Sequence, residues 1–490
     1  MSSQWAFLAM GIPFFTALIM GSVGYAAPRF MRWIGATGIT LAVFASIGLW
    51  STVSTDEYVS YFFGGWLPPI GIALEVDRIS ALMVLMVHGV AALAYIFSLK
   101  ALPNELPASK HPVYYTLYFL LISGFVALAV TGDVFNVYVL FEVCALSGYA
   151  LLAMGGKKAY VPTFNYVLMG SLGACFYLIG VGYLFIKTGT LNMAHLADVL
   201  PTVFFSRSIL TAFILITVGL FVKMALFPFH GWMPNVYTKA PVSTLCLMAP
   251  LGTKICVYVL LRVVGYVFSM EYMTNILAVQ PIMMTLATLA IVVGTLYVVY
   301  HRHLTRIIMF IIVSEIGYMV GGIFLGQMDS VIGAVYHIAA DALMTVTLVM
   351  VAGVVRHCLG GDAIADVAMM FRRLPTTAIA FVIVCLSVIG VPPMPGFFSK
   401  FLLIKGAFMS GYYGFAVALL IASLTAVFLF FRFFEGYFYM KTDNTAPSVI
   451  QEPWAYRIPL VVAAIGLVGF GLSFSYWYGF IKLALPLGLA

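Results

Sequence analysis

The chain has 490 residues, 63% of them hydrophobic and 8% charged, a composition far outside that of soluble domains. Apolar runs long enough to cross a bilayer, about 20 residues each, recur from end to end, which makes the chain an all-α polytopic membrane protein. The formal charge of +7 does not indicate nucleic-acid binding, because the basic residues are spread over short connections instead of gathering in one domain.

The N-terminal run, MSSQWAFLAMGIPFFTALIMGSVGYAAP, lacks a basic leader and is long enough to span, so it reads as a retained helix and not a cleaved signal peptide. Hydropathy windows place about fourteen spans, near residues 4–25, 32–50, 79–99, 113–131, 134–154, 164–187, 208–228, 241–265, 279–300, 305–326, 330–355, 374–391, 411–437 and 456–480. Arg29, Arg32, Lys100, Lys110, Lys157, Lys158, Lys239, Arg302, Arg306, Arg356, Arg372, Arg373, Arg432, Lys441 and Arg457 then fall on one side, against Arg78, Lys187, Arg207 and Arg262 on the other. The positive-inside rule makes the first group cytoplasmic. Both termini are therefore expected outside, in the periplasm of a bacterial cell, with the chain multi-pass in the plasma membrane. The longest polar gaps, near 51–78, 188–207 and 438–455, are too short to bury a core of their own, so residues 1–490 form a single membrane domain. Cys144, Cys175, Cys246, Cys256, Cys358 and Cys385 lie mostly in apolar segments and form no CxxC, which argues against a cysteine-ligated metal or iron–sulfur centre.

Against this apolar background the intramembrane charges carry the information. Glu142 sits in the fifth span, in FNVYVLFEVCALSGYALLAM, with no basic residue in that helix. Lys223 and Lys254 follow in the seventh and eighth spans; a lysine near the bilayer centre costs roughly 2.5–3.5 kcal/mol on insertion scales. Burial disfavours the charged form of a lysine, which suits it to hand a proton on. A charge pair about 10 Å apart interacts by roughly 1.7 kcal/mol at an effective dielectric near 20, about one pKa unit, so Glu142 is expected to bias Lys223. A purely structural Lys254, snorkelling to an interface, is the competing reading, disfavoured by its position about a dozen residues into the span.

Pro228, Gly231, Pro234 and Pro241 interrupt the helical ladder between the two lysines, since proline lacks an N–H and clashes with the preceding turn. Such broken backbone is tolerated at membrane depth only inside protein or beside a hydrated cavity. Pro392, Pro393 and Pro395 form a second break ahead of Lys400. Broken helices at corresponding places in two halves point to an ion site near the midplane. Between the breaks, His337, Asp341 and Thr345 follow at four-residue spacing on one helical face, a polar stripe that reads as a relay. Metal binding is not expected there, since no further ligand completes a set. Glu315 is either a partner of Arg306 or a lining group, and His230 either lines the first break or caps its freed backbone. His88 reads as structural, Lys405 as a snorkelling lysine and Asp133 as the cap of the fifth helix.

The strings GDVFNVYVLFEVCALSGYALLA, VKMALFPFHGWMPNVYTKAPVSTLCLMAPLGTKICVYVLLR, HLTRIIMFIIVSEIGYMVGGI and VIGVPPMPGFFSKFLLIKGA resemble the proton-conducting antiporter-like subunits of respiratory complex I and its relatives. NYVLMGSLGACFYLIGVGYLFIKTGTLNMAHLAD looks most like the D-type member of multisubunit Mrp cation/proton antiporters and the matching subunits of membrane-bound hydrogenases; GIALEVDRISAL near residues 71–82 extends the match over nearly the whole chain. The resemblance implies fourteen helices with two inverted five-helix repeats, over 113–265 and 279–437, and broken helices near Pro228 and Pro393. It also implies that Glu142 is the fifth-helix glutamate, Lys223 its lysine partner, Lys254 the central lysine, Lys400 the terminal lysine and His337 the eleventh-helix histidine. Where the D-type chains have His-Asp followed four residues later by lysine, this chain has Ala340, Asp341 and Thr345.

The sequence thus describes a proton-translocating subunit of a multisubunit cation (Na+)/proton antiporter. Protons are expected to enter near Lys223 or Lys254, to cross by way of His337 and to leave around Lys400. The chain carries no Walker loop, dinucleotide fingerprint or cysteine cluster, so no cofactor is expected and the drive comes from another gradient or another subunit. A redox-driven pump subunit of the hydrogenase or NADH:quinone oxidoreductase type is the alternative. A stand-alone transporter of an organic substrate and a non-conducting scaffold are the readings from other classes. The expected partners are other membrane subunits, homologous ones among them, with protons and Na+ as cargo and the lipid bilayer as solvent.

Overall fold

The computed structural model describes residues 4–56, 58–68, 70–270, 272–273, 278–438 and 449–485. Among these, thirteen helices are long and apolar enough to cross a membrane. In chain order they are α1 (Gln4–Ala26), α2 (Met31–Asp56), α3 (Arg78–Glu105), α4 (His111–Val130), α5 (Val134–Ala153), α6 (Lys157–Thr188), α8 (Arg207–Met224) continued through a break into α9 (Trp232–Tyr237), α10 (Val242–Leu261), α11 (Gln280–Tyr300), α12 (Leu304–Phe324), α13 (Met328–Leu359), α17 (Tyr413–Phe438) and α18 (Trp454–Leu472). The remaining crossing is split into α15 (Pro375–Ile389) and α16 (Pro395–Met409), each too short to span alone. The fourteen crossings expected from hydropathy therefore stand. The segment read as one span over 456–480 breaks at Ser473 into α18 and α19 (Phe474–Lys482).

The polar gaps hold more structure than their apolar content suggests. Residues of the first gap form an antiparallel hairpin, β1 (Val59–Phe62) with β2 (Ala73–Val76), in which Val59 faces Val76 and Phe62 faces Ala73. The second holds α7 (Met193–Val199), and the connection after α13 holds α14 (Ile364–Arg373), whose first turn carries Asp366 and last turn Arg372 and Arg373. That placement complements the helix dipole. Lys441, assigned above to the basic side, lies outside the described residues.

Packing separates a protein-filled interior from an exposed apolar rim. In α12 every residue except Arg306 is buried, and α10 and α13 are nearly as enclosed, whereas about two fifths of the best apolar window is buried in α1, α2, α6, α11 and α17. A helix apolar all round belongs in a core; these three helices carry Lys254, Glu315, and His337 with Asp341. Close crossings at the rim depend on glycine. A Cβ on Gly219 of α8 would come within 2.6 Å of the Gly173 carbonyl of α6, and one on Gly317 of α12 within 2.7 Å of the Ala287 carbonyl of α11. Small residues let membrane helices approach where no hydrophobic drive exists between them.

Contacts also recur along the chain. The helix α4 packs on α5 and α10, α5 on α6 and α10, α6 on α8, and α8 on α10; then α11 packs on α12 and α17, α12 on α13 and α17, α13 on both halves of the split crossing, and that crossing on α17. The two sets meet where α10 packs on α12 and α13.

Connections alternate between two ends of the bundle. At the end bearing most of the basic residues, Glu105 accepts hydrogen bonds from Val242 N at 2.8 Å and Ser243 N at 3.1 Å and pairs with His357 at 3.2 Å, and Glu452 caps α15 through Thr376 N and Thr377 N. Asp362 accepts from Thr305 N at 3.1 Å, from the Thr305 hydroxyl and from Arg356 at 3.3 Å. At the opposite end the hairpin bridges to Thr131 before α5, the α5 and α7 caps Asp133 and Asn192 bridge to each other, Tyr266 donates to Ala484 O at 3.0 Å, and Tyr478 donates to Asp329 at 2.7 Å. Asp133 caps α5 as expected, accepting from Asn136 N at 2.7 Å.

Candidate functional site

The break after α8 begins at Ala225, which adopts a left-handed conformation with φ 60°. Carbonyls freed there need new donors, and the Trp232 indole N–H supplies one to Val222 O at 3.2 Å. This stop leaves Lys223 in the last turn of α8, aimed at α5. Its ammonium donates to Glu142 Oε1 at 3.1 Å and lies 5.6 Å from the centre of the Phe141 ring. The 10 Å separation used to gauge this pair is thus replaced by direct contact. Lys223 is 8% exposed and Glu142 32%, so the pair sits at the rim of the interior. A small cavity lined by Lys223, Phe141, Cys144, Tyr166, Gly252 and Cys256 leads from it to α10.

Two residues beyond Gly252, Lys254 is fully enclosed. Its Nζ lies 2.9 Å from Asp341 Oδ2, with both side chains 0% exposed, and 3.3 Å from Thr345 Oγ1. The Thr345 hydroxyl donates to Asp341 Oδ1 at 2.8 Å. The His337, Asp341 and Thr345 stripe therefore lies on α13 as the spacing predicts, with a division of partners that the spacing does not reveal. Asp341 and Thr345 hold Lys254, whereas His337 Nδ1 bonds to Ser399 Oγ of α16 at 2.8 Å. Thr345 stands where the resemblance leads one to expect a second lysine, so the aspartate meets a hydroxyl there and the Lys254 ammonium on its other oxygen.

Glu315 of α12 is 2% exposed. Its carboxyl lies close to that of Asp341 and faces the charges of both Lys254 and Lys400. Pairing with Arg306 is not seen: Arg306 is exposed in the first turn of α12, nine residues before Glu315. Glu315 also lines a small cavity with Ser314, Tyr318, Thr295, Val388 and Thr425, in keeping with the lining role.

The second break follows Gly390, with φ 91°. Gly396 closes it so tightly that a Cβ there would fall 1.9 Å from the Ser387 carbonyl oxygen. Lys400, from the far half of the crossing, donates back to Val388 O at 2.6 Å and to Ser423 Oγ of α17 at 3.0 Å. Its ammonium therefore satisfies a freed carbonyl, as Trp232 does in the first break. The Tyr318 ring links this lysine to His337, at 5.5 Å from Lys400 Nζ and 5.4 Å from the imidazole centre.

Other singled-out residues stand apart. His230 is half-buried beside Phe227 and Phe310, lining the first break without reaching a lysine. His88 is buried against the Ala9 backbone of α1. Lys405 pairs with Asp329 at 2.6 Å near the end of α16 instead of simply snorkelling. Sequence reasoning missed Tyr318, Ser399 and Ser423, which carry no charge to mark them, and it named no partner for Asp341 on another helix.

A family profile described as "NADH:quinone oxidoreductase/Mrp antiporter, TM" matches residues 131–426. The chain is 32% identical to the N-type chain of the NADH-quinone oxidoreductase of Desulforudis audaxviator, covering 96% of each chain. It is 28% identical to the D-type chain of the Na(+)/H(+) antiporter of Alkalihalophilus pseudofirmus, covering 95% of this chain and 94% of the relative. Among solved structures it superposes on a chain of the membrane-bound sulfane sulfur reductase, an archaeal respiratory membrane complex, with a TM-score of 0.89 and 26% identity over 98% of this chain and 97% of that one. It also superposes on a chain of the Mrp complex from Dietzia sp., with 0.88 and 21% over 99% and 97%. With a profile match over more than half its length and a relative above 30% identity end to end, the chain belongs to the NADH:quinone oxidoreductase/Mrp antiporter transmembrane family, as an antiporter-like membrane subunit.

Proposed function

We propose that this protein translocates protons along the buried line from Glu142–Lys223, through Lys254–Asp341 and Glu315, to His337–Ser399 and Lys400, as one subunit of a larger membrane complex that exchanges Na+ for protons. The observation that carries this reading is the placing of ionisable groups in the most enclosed helices of an otherwise apolar bundle, where unused charge is costly. Each step is a proton passing between neighbouring groups on this line, with small cavities beside Lys223 and beside Glu315. Lys254 gives up its proton toward the Glu315–Asp341 pair, and Tyr318 and Ser399 bring His337 and Lys400 within reach of that pair. Separation of Glu142 from Lys223 removes a neighbouring negative charge and favours release of the lysine's proton. Thr345, in place of a second cation, keeps Asp341 bound to Lys254 and routes transfer through Glu315.

Two repeats, over 113–265 and 279–437, account for the recurring contacts of α4–α10 and α11–α17. Five crossings per repeat is an odd number, so the second begins on the opposite side from the first and the two are inverted. The basic end is cytoplasmic by charge, with both termini on the other side of the plasma membrane. Relatives that are subunits of multisubunit complexes support membrane subunits as partners.

A redox-driven complex is the second reading, favoured by the 32% identity to an NADH-quinone oxidoreductase chain and the superposition on a respiratory reductase. The two are separated by purifying the complex gently, reconstituting it with a pH-sensitive dye inside, and jumping external sodium. Proton flux that follows the sodium jump supports exchange. Flux that ignores sodium and starts on adding an electron donor to a preparation with copurified redox subunits selects the redox drive.

A further inference from the structure

At the end away from the basic loops, the ends of α3, α7 and α10 surround a cavity of about 370 Å3 that opens to solvent, lined by Glu75, Asp77, Ala194, Tyr258, Arg262 and Tyr266 among others. Against the roughly 30 Å3 that a liquid water occupies, this is room for many waters. None of these residues belongs to the line described above. The segment GIALEVDRISAL, which supplies Glu75 and Asp77, has no part in it either.

The cavity is built by an ion pair and a widened helix. Asp77 caps α3 by accepting from Ser80 N at 2.8 Å, and Arg262 Nη1 donates to its Oδ2 at 2.6 Å. Burial alone would raise the Asp77 carboxyl, but the adjacent guanidinium outweighs it and holds the group below its ordinary value. Beyond Leu261 the α10 helix takes π-helical geometry over Arg262–Val267, a widened turn frequent at functional sites. It sets Arg262 and Tyr266 against the cavity, with the guanidinium carbon 4.6 Å from the Tyr266 ring centre.

The Tyr258 hydroxyl forms the cavity's inner end. The residue is 2% exposed; its hydroxyl donates to Ala129 O at 2.7 Å, accepts from Arg262 Nε at 2.8 Å and lies 2.9 Å from Ser80 Oγ. The Lys254 backbone is one turn earlier on the same face of α10, about 6 Å along the axis, and its ammonium turns back toward Ala249 O at 3.5 Å, so more than one water is needed to join it to the hydroxyl.

We propose that this cavity is an aqueous access vestibule for Lys254, with the Tyr258 hydroxyl relaying protons between them and the Arg262–Asp77 pair positioning that hydroxyl. The inference rests on the proton-translocation reading above and gives the central lysine a portal of its own, separate from the one around Lys400. In the relay the Lys254 ammonium gives a proton to the water bonded to it, a short chain of waters passes one on to the tyrosine oxygen, and each water ends neutral. Its own hydroxyl proton passes to vestibule water, so the tyrosine ends neutral and Lys254 has lost one proton. The reverse sequence loads the lysine.

The test uses the intact complex in vesicles with an internal pH dye and three variants. Tyr258→Phe keeps the ring and removes the relay, and proton flux is expected to fall at least tenfold with copurifying subunits unchanged. Ala194→Cys places a thiol at an exposed position of the vestibule. A cationic, membrane-impermeant methanethiosulfonate added on the vestibule side is expected to cut the flux of the same vesicles at least threefold, and to do nothing from the other side. Wild type given the same reagent controls for Cys175. Unchanged flux in Ala194→Cys, with labelling verified by mass, overturns the vestibule whatever Tyr258→Phe does, and also decides the matter if that variant fails to assemble. Wild-type flux in Tyr258→Phe overturns the relay. Lys254→Ala is run in parallel: loss of flux there beside an unaffected vestibule sinks this inference alone, whereas full flux in Lys254→Ala sinks the parent reading.

Discussion

At the scale of single residues, the site depends on which groups share the enclosed space around Lys254. Removing one partner of a buried ion pair leaves the other charge stranded and costs about 3–5 kcal/mol, whereas replacing both with neutral groups is often close to neutral. Lys254→Met is therefore expected to lower the thermal midpoint of the purified complex markedly. Lys254→Met combined with Asp341→Asn should recover most of that loss, while neither variant moves protons. The Glu142–Lys223 pair behaves differently because Glu142 is about a third exposed. Pairs of that kind contribute roughly 0–1 kcal/mol to stability, so Glu142→Gln should leave the melting curve almost unchanged. Loss of its bias on Lys223 should slow coupled proton flux about tenfold, since 1.36 kcal/mol corresponds to one decade in rate. The sequence marked Glu142, Lys223, Lys254, His337 and Lys400, because charge in an apolar span is conspicuous. Their partners were not legible: four-residue spacing fixes the face that Asp341 occupies but not the neighbour opposite it, and Ser399 looks like any other membrane serine.

At the scale of elements, the two interrupted crossings set the position of the lysines. Proline clusters announced both breaks, and the structure adds how they close, through Ala225 and Trp232 in one and Gly390, Gly396 and Lys400 in the other. Gly396→Ala places a methyl group 1.9 Å from the Ser387 carbonyl and must push α15 and α16 apart. Flux is expected to drop at least tenfold, with the complex assembled and Lys400 more readily acylated by an amine-reactive probe; wild-type flux and labelling would show that the closure does not matter. The connection between α13 and α14 offers a pH test. Burial by itself would raise the Asp362 carboxyl, but the Thr305 hydroxyl and the Arg356 guanidinium outweigh it and hold the group below its ordinary value. A depressed carboxylate contributes stability above its unfolded pKa, near 3.9, and loses it as pH falls through the lower folded value. The melting temperature should therefore be insensitive to this clamp from pH 7 to 5 and decline below about pH 4. Asp362→Asn should lower the plateau and flatten part of that decline. Neither α14 nor the β1–β2 hairpin was legible, because both are short and lie in polar gaps where hydropathy gives no signal.

At the scale of the whole molecule, composition and apolar run length were enough to give fourteen crossings, since a bilayer admits helices or closed barrels and little else. Hydropathy alone does not rank those crossings by depth. The structure does, enclosing α10, α12 and α13 and leaving α1, α2, α6, α11 and α17 at the exposed rim. On the proposed reading, charge in the enclosed helices provides a path across the bundle, where α10 packs on both α12 and α13 and joins the two sets of recurring contacts. The central claim is that protons must pass through Lys254 in that middle layer. The most direct measurement compares dye-reported proton flux in vesicles carrying equal amounts of assembled complex, wild type against Lys254→Ala, each driven by whichever drive moves protons in the wild type. The account predicts flux in the variant indistinguishable from empty vesicles. Flux at or near the wild-type rate would contradict it and leave the buried ion pair with a structural role alone.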